Sequence, residues 1–230
     1  MRRDQILGAF STEAERLTAE LDRSAGSSAE RWSLPTACTP WTVRELLGHI
    51  AVTVTWLPGM LAEQAPAHAT VGAAEYYRPD PRFSPETNNR RIELAREYSA
   101  QAESGAGVLA LFAQQWRRVA DLCAAEPQDR VVRTRHGDPM LLDDFLVTRV
   151  VEVGVHGMDL AAALGSDPWL THEAADVITT LLAGEDAAAQ LAALAWEPAF
   201  FIAKVTGRIP MTEQDRTQLE RIGIRWLALG

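Results

Sequence analysis

Residues 143–165 have the sequence DDFLVTRVVEVGVHGMDLAAALG, and the conformation of this segment separates a helical fold from a mixed one. Its run of valines has the β-branched shape that strands favour. The segment is nevertheless longer than an ordinary strand, and its alanine run before Gly165 is typical of a helix that ends at a glycine. We therefore predict a helix that is capped by Asp143 and runs to Leu164.

Four polar residues occupy one face of this predicted helix, which is otherwise apolar. They are Arg149, Glu152, His156 and Asp159, and their spacings of 3, 4 and 3 place them along one stripe. A polar stripe on so apolar a helix either faces solvent or lines a polar site inside a bundle. The segment alone leaves both interpretations open.

Helical patterns also dominate the chain before this segment. A 3.6-residue period predicts a first helix over about 4–21, and Thr42 with Glu45 forms a capping box for a second helix. We expect this second helix to stop at Pro58, because proline removes a backbone donor from a helix interior. Residues 58–83 have no clear period, so we expect a long loop of the kind that often contributes to function.

The remaining elements complete a mainly α fold. We predict helical residues over 85–125 with a break near Ser104-Gly105, short strands within 130–142, and a helix over about 171–194. Four long helices predict an antiparallel four-helix bundle. We expect residues 1–165 to form this bundle and residues 166–230 to form a smaller C-terminal part, α/β or helical, that closes the active site.

The polar stripe contains a possible pair of metal ligands. Glu152 and His156 are four residues apart, so both side chains reach the same point beside a helix. His49, at the edge of the second helix's apolar face, is the best candidate for a third ligand, although such a histidine is more often a packing residue. Two histidines and one carboxylate leave coordination positions open, as catalytic metal sites do.

Three stretches of the chain resemble one protein family. The stretch from Trp41 to His49 matches the signature W-x-x-x-[DE]-L-x-x-H, and the stretch from Arg149 to Ala161 matches R-x-x-E-x-x-x-H-G-x-D-L-A. Thr206-Gly-Arg208 matches a third, T-G-R near the C-terminus. In this order and spacing, the chain resembles the DinB-like, mycothiol-dependent maleylpyruvate isomerases, which are metal-binding four-helix-bundle proteins.

The resemblance implies a metal, usually zinc but replaceable by another divalent ion, held by His49, Glu152 and His156. It implies that mycothiol binds at the open position as a thiolate and attacks a small electrophilic substrate, and that Arg208 contributes a catalytic guanidinium. The reaction is either a cis–trans isomerisation of the maleylpyruvate type or an S-transfer in which the thiol stays attached. Arg149, as an anchor for an acidic group, and Trp56, as a pocket wall, are candidate cofactor-binding residues.

Other interpretations of the same residues remain. Two histidines and a carboxylate also suit a non-haem Fe(II) enzyme, and a metal hydrolase or a non-enzymatic metal-binding helical module are further alternatives. Cys38 is a nucleophile, a fourth ligand or, most simply, a semi-buried thiol. Asp159 either orients a histidine or is a surface acid, and we expect His136 to be solvated in a turn.

Composition and charge exclude several partners. Hydrophobic residues make up 47% of the 230 residues and the net charge is −9, which argues against a nucleic-acid-binding surface. We also predict a cytoplasmic protein without a membrane partner. The sequence has two cysteines without the spacing of metal ligands, no apolar signal segment at the start and no long uninterrupted apolar run. We expect its partners to be a small-molecule thiol and a small electrophile.

Overall fold

The computed structural model describes residues 1–78 and 84–228. The helices are α1 Arg3–Ser24, α2 Ala29–Trp32, α3 Val43–Ala62, α4 Ala73–Tyr76, α5 Pro85–Ser99, α6 Gly105–Ala124, α7 Leu142–Ala163, α8 His172–Ala183, α9 Ala187–Leu194, α10 Pro198–Val205 and α11 Glu213–Ile222. Two strands, β1 Val131–Arg133 and β2 Pro139–Leu141, pair antiparallel as a hairpin before α7. The fold is therefore mainly α, as the sequence predicts.

Four long helices enclose the core. Helices α1 and α3 each pack against both α6 and α7, which closes a four-helix bundle, and α5 packs on α3. Each bundle helix contributes apolar side chains with no exposed surface, for example Phe10, Ile50, Phe112 and Val150. The break predicted near Ser104-Gly105 is confirmed, because Ser104 caps α6 through a bond from the backbone N–H of Gly107.

Helix α7 covers most of the segment 143–165, so the predicted helix is confirmed and the strand alternative is wrong. Gly165 follows it with a φ of 67°, as predicted for a residue just beyond a helix end. The prediction that Asp143 caps the helix is wrong, because the N-cap residue is Leu141, where β2 runs straight into α7. Asp143 lies in the first turn instead, where it accepts a hydrogen bond from the guanidinium of Arg3.

Two other helix boundaries differ from the predicted ones. Helix α3 continues through Pro58 to Ala62, since burial of Met60 in the next turn offsets the lost backbone bond. The loop predicted over 58–83 is therefore shorter and includes α4, while its residues 79–83 lie outside the described part. The single helix predicted over 171–194 is divided at Gly184, whose φ of 89° lets the chain bend by 91° between α8 and α9.

The C-terminal residues rest on the bundle through α8, which packs against α1 and α7, and α10 packs on α8 in turn. Buried Glu13 of α1 accepts two hydrogen bonds from Thr171, the N-cap residue of α8, one from the backbone N–H and one from the hydroxyl. Residues 166–228 contain helices and no strand, so the helical form of this part is the correct one. The division of the chain at residue 165 into a bundle and a C-terminal part stays a prediction.

One helix in the described ranges, α3, is long and apolar enough to cross a membrane. Helices α8 and α9 reach that length and apolarity only when they are counted as one segment, despite the bend between them. Of the apolar window of α3, 61% is buried inside the protein. Its apolar composition is therefore what a core helix of a bundle requires.

Candidate metal centre

A cavity of about 630 Å³ opens between α3, α5, α7 and the loop that follows α10. Its size is typical of a site for a small molecule. Helix α7 contributes all four residues of its polar stripe to the wall. The stripe therefore lines a site inside the protein, and the alternative in which it faces solvent is wrong.

Three potential metal ligands converge on this wall. Nε2 of His49 lies 3.4 Å from Oε2 of Glu152, and Nε2 of His156 lies 3.7 Å from the same oxygen. One ligand atom from each of the three residues lies within 4.8 Å of the others, and both histidines are more than nine-tenths buried. Helix α3 thus brings the predicted third residue, His49, to the pair on α7.

Each of the three side chains is held by a neighbour. The indole of Trp41 stacks on the imidazole of His49, with ring centres 4.5 Å apart. The hydroxyl of Tyr77 donates to the backbone oxygen of Thr148 and lies 3.3 Å from Oε1 of Glu152. Nδ1 of His156 lies 3.0 Å from Oδ2 of Asp159, which leaves Nε2 directed at Glu152.

Arg208 reaches the same cavity from the C-terminal residues. Its Nε and Nη2 donate to the two carboxylate oxygens of Asp159 at 2.9 and 2.6 Å, and its Nη1 donates to the backbone oxygen of Thr206. Asp159 is therefore buried between a guanidinium and an imidazole. It is neither solvated nor a surface acid, and it orients His156 as second-layer carboxylates orient metal-binding histidines.

Cys38 belongs to this cluster as well. Its thiol donates to Oδ2 of Asp159 at 3.1 Å, and its sulfur lies 3.8 Å from Nδ1 of His156. The side chain is half-buried, as the simplest interpretation predicts, but it also lines the cavity. Cys123 is buried in α6, where burial raises the pKa of its thiol to about 12, so it is a packing residue.

The pKa values of the cluster follow from burial and pairing. Burial alone would lower the pKa of His156, but its hydrogen bonds to Asp159 and Cys38 and the charge of Glu152 raise that pKa to about 10. Burial would raise the pKa of Asp159, but His156 and Arg208 lower it to about 2. Burial lowers the pKa of His49. The pKa of Glu152 is also lowered, because the effect of His49 and Arg149 outweighs its burial.

The donor set fits a divalent cation. Two imidazole nitrogens and one carboxylate oxygen are the ligands of many catalytic zinc and iron sites, and they leave room for further ligands. Cys38, His156 and Asp159 form a second group of similar compactness, but both oxygens of Asp159 are occupied by Arg208. The group of His49, Glu152 and His156 is therefore the better candidate for a metal site.

The two predicted cofactor-binding residues also line the cavity. Arg149 is only 1% exposed and donates to the backbone oxygen of Thr53 and to the hydroxyl of Thr148. Its guanidinium carbon lies 5.6 Å from the ring centre of Trp56. The structure thus places both residues beside the metal ligands, and their role in binding a cofactor stays a prediction.

Several residues of the cavity were not predicted. Arg135 and His136 come from the hairpin between β1 and β2, Tyr77 follows α4, and Arg91 lies on α5. The expectation that His136 is solvated is wrong, because it is half-buried with its ring 5.7 Å from that of Tyr76. The only sequence signal for the place of these residues in the cavity is that aromatic and basic residues cluster in the short segments that contain them. His68 and His172 are exposed, as expected.

Comparison with known proteins gives one match. The profile of the family described as "Mycothiol maleylpyruvate isomerase N-terminal domain" matches residues 10–161, about two thirds of the chain. No curated protein and no solved structure matches the chain. The matched range contains His49, Glu152 and His156 and ends before Arg208. With this match over the helices that carry the site, the chain belongs to the mycothiol maleylpyruvate isomerase N-terminal domain family.

Proposed function

We propose that the protein is an enzyme that uses a divalent metal ion, zinc by preference, and mycothiol to act on a small electrophilic molecule. The observation that supports this function is the convergence of His49, Glu152 and His156 on the wall of a cavity of about 630 Å³. The cavity is large enough for a small substrate beside a thiol. The family match supports a reaction of the isomerase type, with S-transfer as the related alternative.

His49, Glu152 and His156 would hold the metal. A divalent cation at this position supplies the charge that favours the thiolate of a bound thiol at neutral pH, whereas a free thiol with a pKa of about 8.5 is mostly protonated. Asp159 keeps Nδ1 of His156 occupied, so that Nε2 is the nitrogen presented to the site. The stacked ring of Trp41 restricts the motion of His49, and the hydroxyl of Tyr77 restricts that of Glu152.

Arg208 is the proposed catalytic residue. Its contacts with Asp159 and Thr206 use three of its five N–H groups, and the two others can donate to a ligand in the cavity that it lines. Because Asp159 balances its charge, Arg208 supplies oriented donors rather than a net positive charge. We propose that these donors hold an oxygen of the thiol or of the substrate while the electrophilic carbon reacts.

A matched pair of histidine variants tests the metal site. His49→Ala removes one of the three proposed ligands, whereas His172→Ala removes a side chain that is 82% exposed on α8. We expect His49→Ala to lose both bound metal and turnover, and His172→Ala to retain one metal ion per chain, measured by elemental mass spectrometry on purified protein. Full metal content in His49→Ala would contradict the assignment.

Turnover assays test the reaction. We expect the metal-loaded protein to convert maleylpyruvate, or another small electrophile, only when mycothiol is added, in air and under nitrogen alike. Turnover that needs oxygen and is indifferent to thiol would favour the non-haem Fe(II) alternative. Bound metal without turnover of any electrophile would favour the non-enzymatic module. We propose that the enzyme is cytoplasmic, and the burial of α3 inside the protein argues against α3 as a membrane span.

A further inference from the structure

Two polar contacts join helices α3 and α7 beside the candidate metal centre. The first joins two proposed ligands, because Nε2 of His49 lies 3.4 Å from Oε2 of Glu152. In the second, Nη1 of Arg149 donates to the backbone oxygen of Thr53 at 2.9 Å. Thr53 follows His49 by four residues on α3, and the arginine precedes the glutamate by three residues on α7. The two contacts are therefore neighbours, about one helical turn apart.

The guanidinium of Arg149 is held in one orientation. Its Nε and Nη2 donate to the hydroxyl of Thr148 at 3.2 and 3.0 Å, and that hydroxyl donates in turn to the backbone oxygen of Phe145. The ring centre of Phe145 lies 4.5 Å from the guanidinium carbon. Because the guanidinium is a planar fork, these contacts direct Nη1 at Thr53 on the other helix.

Arg149 presents almost no surface to a bound molecule. The residue is 1% exposed, although it is part of the cavity wall. Its hydrogen-bond partners Thr53 and Thr148 are also buried. A charge-assisted hydrogen bond in such a place is strong, because water does not compete for the donor or the acceptor. These contacts are those of a group that holds two helices together.

We propose that Arg149 is a positioning residue that clamps α3 to α7 and so fixes the separation of His49 and Glu152. This inference rests on the metal site of the proposed function, because it assigns to Arg149 the control of that site's geometry. The clamp differs from the predicted role of Arg149 as an anchor for an acidic group of the cofactor. An anchor acts on the affinity for the thiol, whereas a clamp acts on the affinity for the metal.

The charge of Arg149 gives the test a sign. A guanidinium near a bound divalent cation repels that cation, so removal of the charge alone would tighten metal binding. Loss of the clamp would weaken metal binding, because α3 and α7 would no longer hold their ligands at a fixed separation. The direction of the change in metal affinity therefore distinguishes a clamp from a charge.

Metal binding without substrate tests the clamp. Arg149→Met removes the charge and the fork, Arg149→Lys keeps the charge, and Thr148→Val removes only the hydroxyl that orients the guanidinium. The affinity for Zn²⁺ is measured by competition with a chelating dye. The visible absorption of the protein loaded with Co²⁺ reports the arrangement of ligands around the ion.

Two matched controls separate the clamp from a general loss of stability. Arg3→Met removes an arginine that is 2% exposed and donates to three backbone oxygens outside the cavity wall. Thr179→Val removes a buried hydroxyl that donates to the backbone oxygen of Ala175 on α8. Thermal unfolding of each metal-free variant records its stability.

We expect Arg149→Met to bind Zn²⁺ about tenfold more weakly than the wild type, which is about 1.4 kcal/mol, and Thr148→Val to show a smaller loss. Arg149→Lys should bind more tightly than Arg149→Met, since its ammonium can still donate to a backbone oxygen. The Co²⁺ bands should shift in Arg149→Met and Thr148→Val and stay unchanged in both controls. Unchanged or tighter Zn²⁺ binding by Arg149→Met, or an equal loss in Arg3→Met, would overturn the proposal. If Arg149→Met does not fold, wild-type affinity and bands in Thr148→Val would do so.

The outcome is separable from that of the proposed function. A higher KM for mycothiol in Arg149→Met at wild-type Zn²⁺ affinity would overturn the clamp and leave the proposed function intact. Conversely, Zn²⁺ binding that depends on Arg149 would uphold the clamp even if no thiol-dependent turnover were found. A wild-type protein that binds no Zn²⁺ or Co²⁺ would overturn both proposals.

Discussion

Gly48→Ala is expected to destabilise the bundle next to the candidate site. Gly48 lies on α3 directly before His49, and it faces Ala95 and Ser99 of α5. A Cβ atom at this position would lie 2.5 Å from the backbone oxygen of Ala95 and 2.3 Å from the hydroxyl of Ser99. The serine side chain can rotate, but the carbonyl of Ala95 can move only if α5 shifts.

The magnitude follows from two opposing effects. Alanine in place of glycine inside a helix gains about 1 kcal/mol of helix stability. Overpacking against a backbone that resists movement costs about 1–3 kcal/mol, and the contact at Gly48 is at the severe end of that range. We therefore expect a net loss of about 1–2 kcal/mol, which lowers Tm by about 2–8 °C in a chain of this length.

Gly59→Ala is the matched control, because Gly59 lies on the same helix, is exposed, and a Cβ there would meet nothing within 4 Å. This variant should gain up to about 1 kcal/mol. Thermal unfolding followed by circular dichroism, together with the metal content of both variants, provides the comparison. We expect Gly59→Ala to keep the metal content of the wild type and Gly48→Ala to bind less metal, because Gly48 is adjacent to the proposed ligand His49. An equal or higher Tm for Gly48→Ala than for the wild type would refute the reasoning.

Three further outcomes are expected. Burial raises the pKa of Glu13 above its unfolded value. The contribution of Glu13 to the free energy of unfolding is therefore complete below about pH 4.5 and declines as the pH rises through the folded pKa. Urea unfolding from pH 4 to 7 should show this decline in the wild type relative to Glu13→Gln. Tyr77→Phe removes the hydroxyl beside Glu152 and should weaken metal affinity about tenfold in competition with a chelating dye, and unchanged affinity would exclude the role of the hydroxyl. Arg208→Lys keeps the charge but loses the fork on Asp159, so steady-state kinetics should show lower kcat at unchanged metal content, and wild-type kcat would contradict its catalytic role.

Much of the fold is encoded locally and was therefore predictable. The helical period, the capping box of Thr42 and the glycine after α7 are short-range signals, and each corresponds to an observed feature. The errors arise where tertiary packing outweighs a local rule. Pro58 does not end α3, because Met60 beyond it is buried, and Asp143 does not cap α7, because β2 leads directly into the helix.

The candidate site divides in the same way. Glu152 and His156 were predictable from their spacing on one helix, and His49 from its place at the edge of another. Arg135 and Tyr77 were not, because their proximity to the site depends on how a hairpin and a loop dock on the bundle. No periodicity within those segments encodes that docking.

The contacts of its polar side chains explain how the apolar helix α7 can carry four polar groups. Buried charges are stable only when each has a partner, and here Asp159 holds His156 while Arg208, from beyond residue 165, holds Asp159. The family match covers the three proposed ligands but not Arg208. Loss of Arg208 would remove two of the hydrogen bonds that hold the buried carboxylate of Asp159, which in turn holds His156. The C-terminal residues are therefore part of the electrostatic balance of the site, and the orientation of a ligand on α7 depends on them.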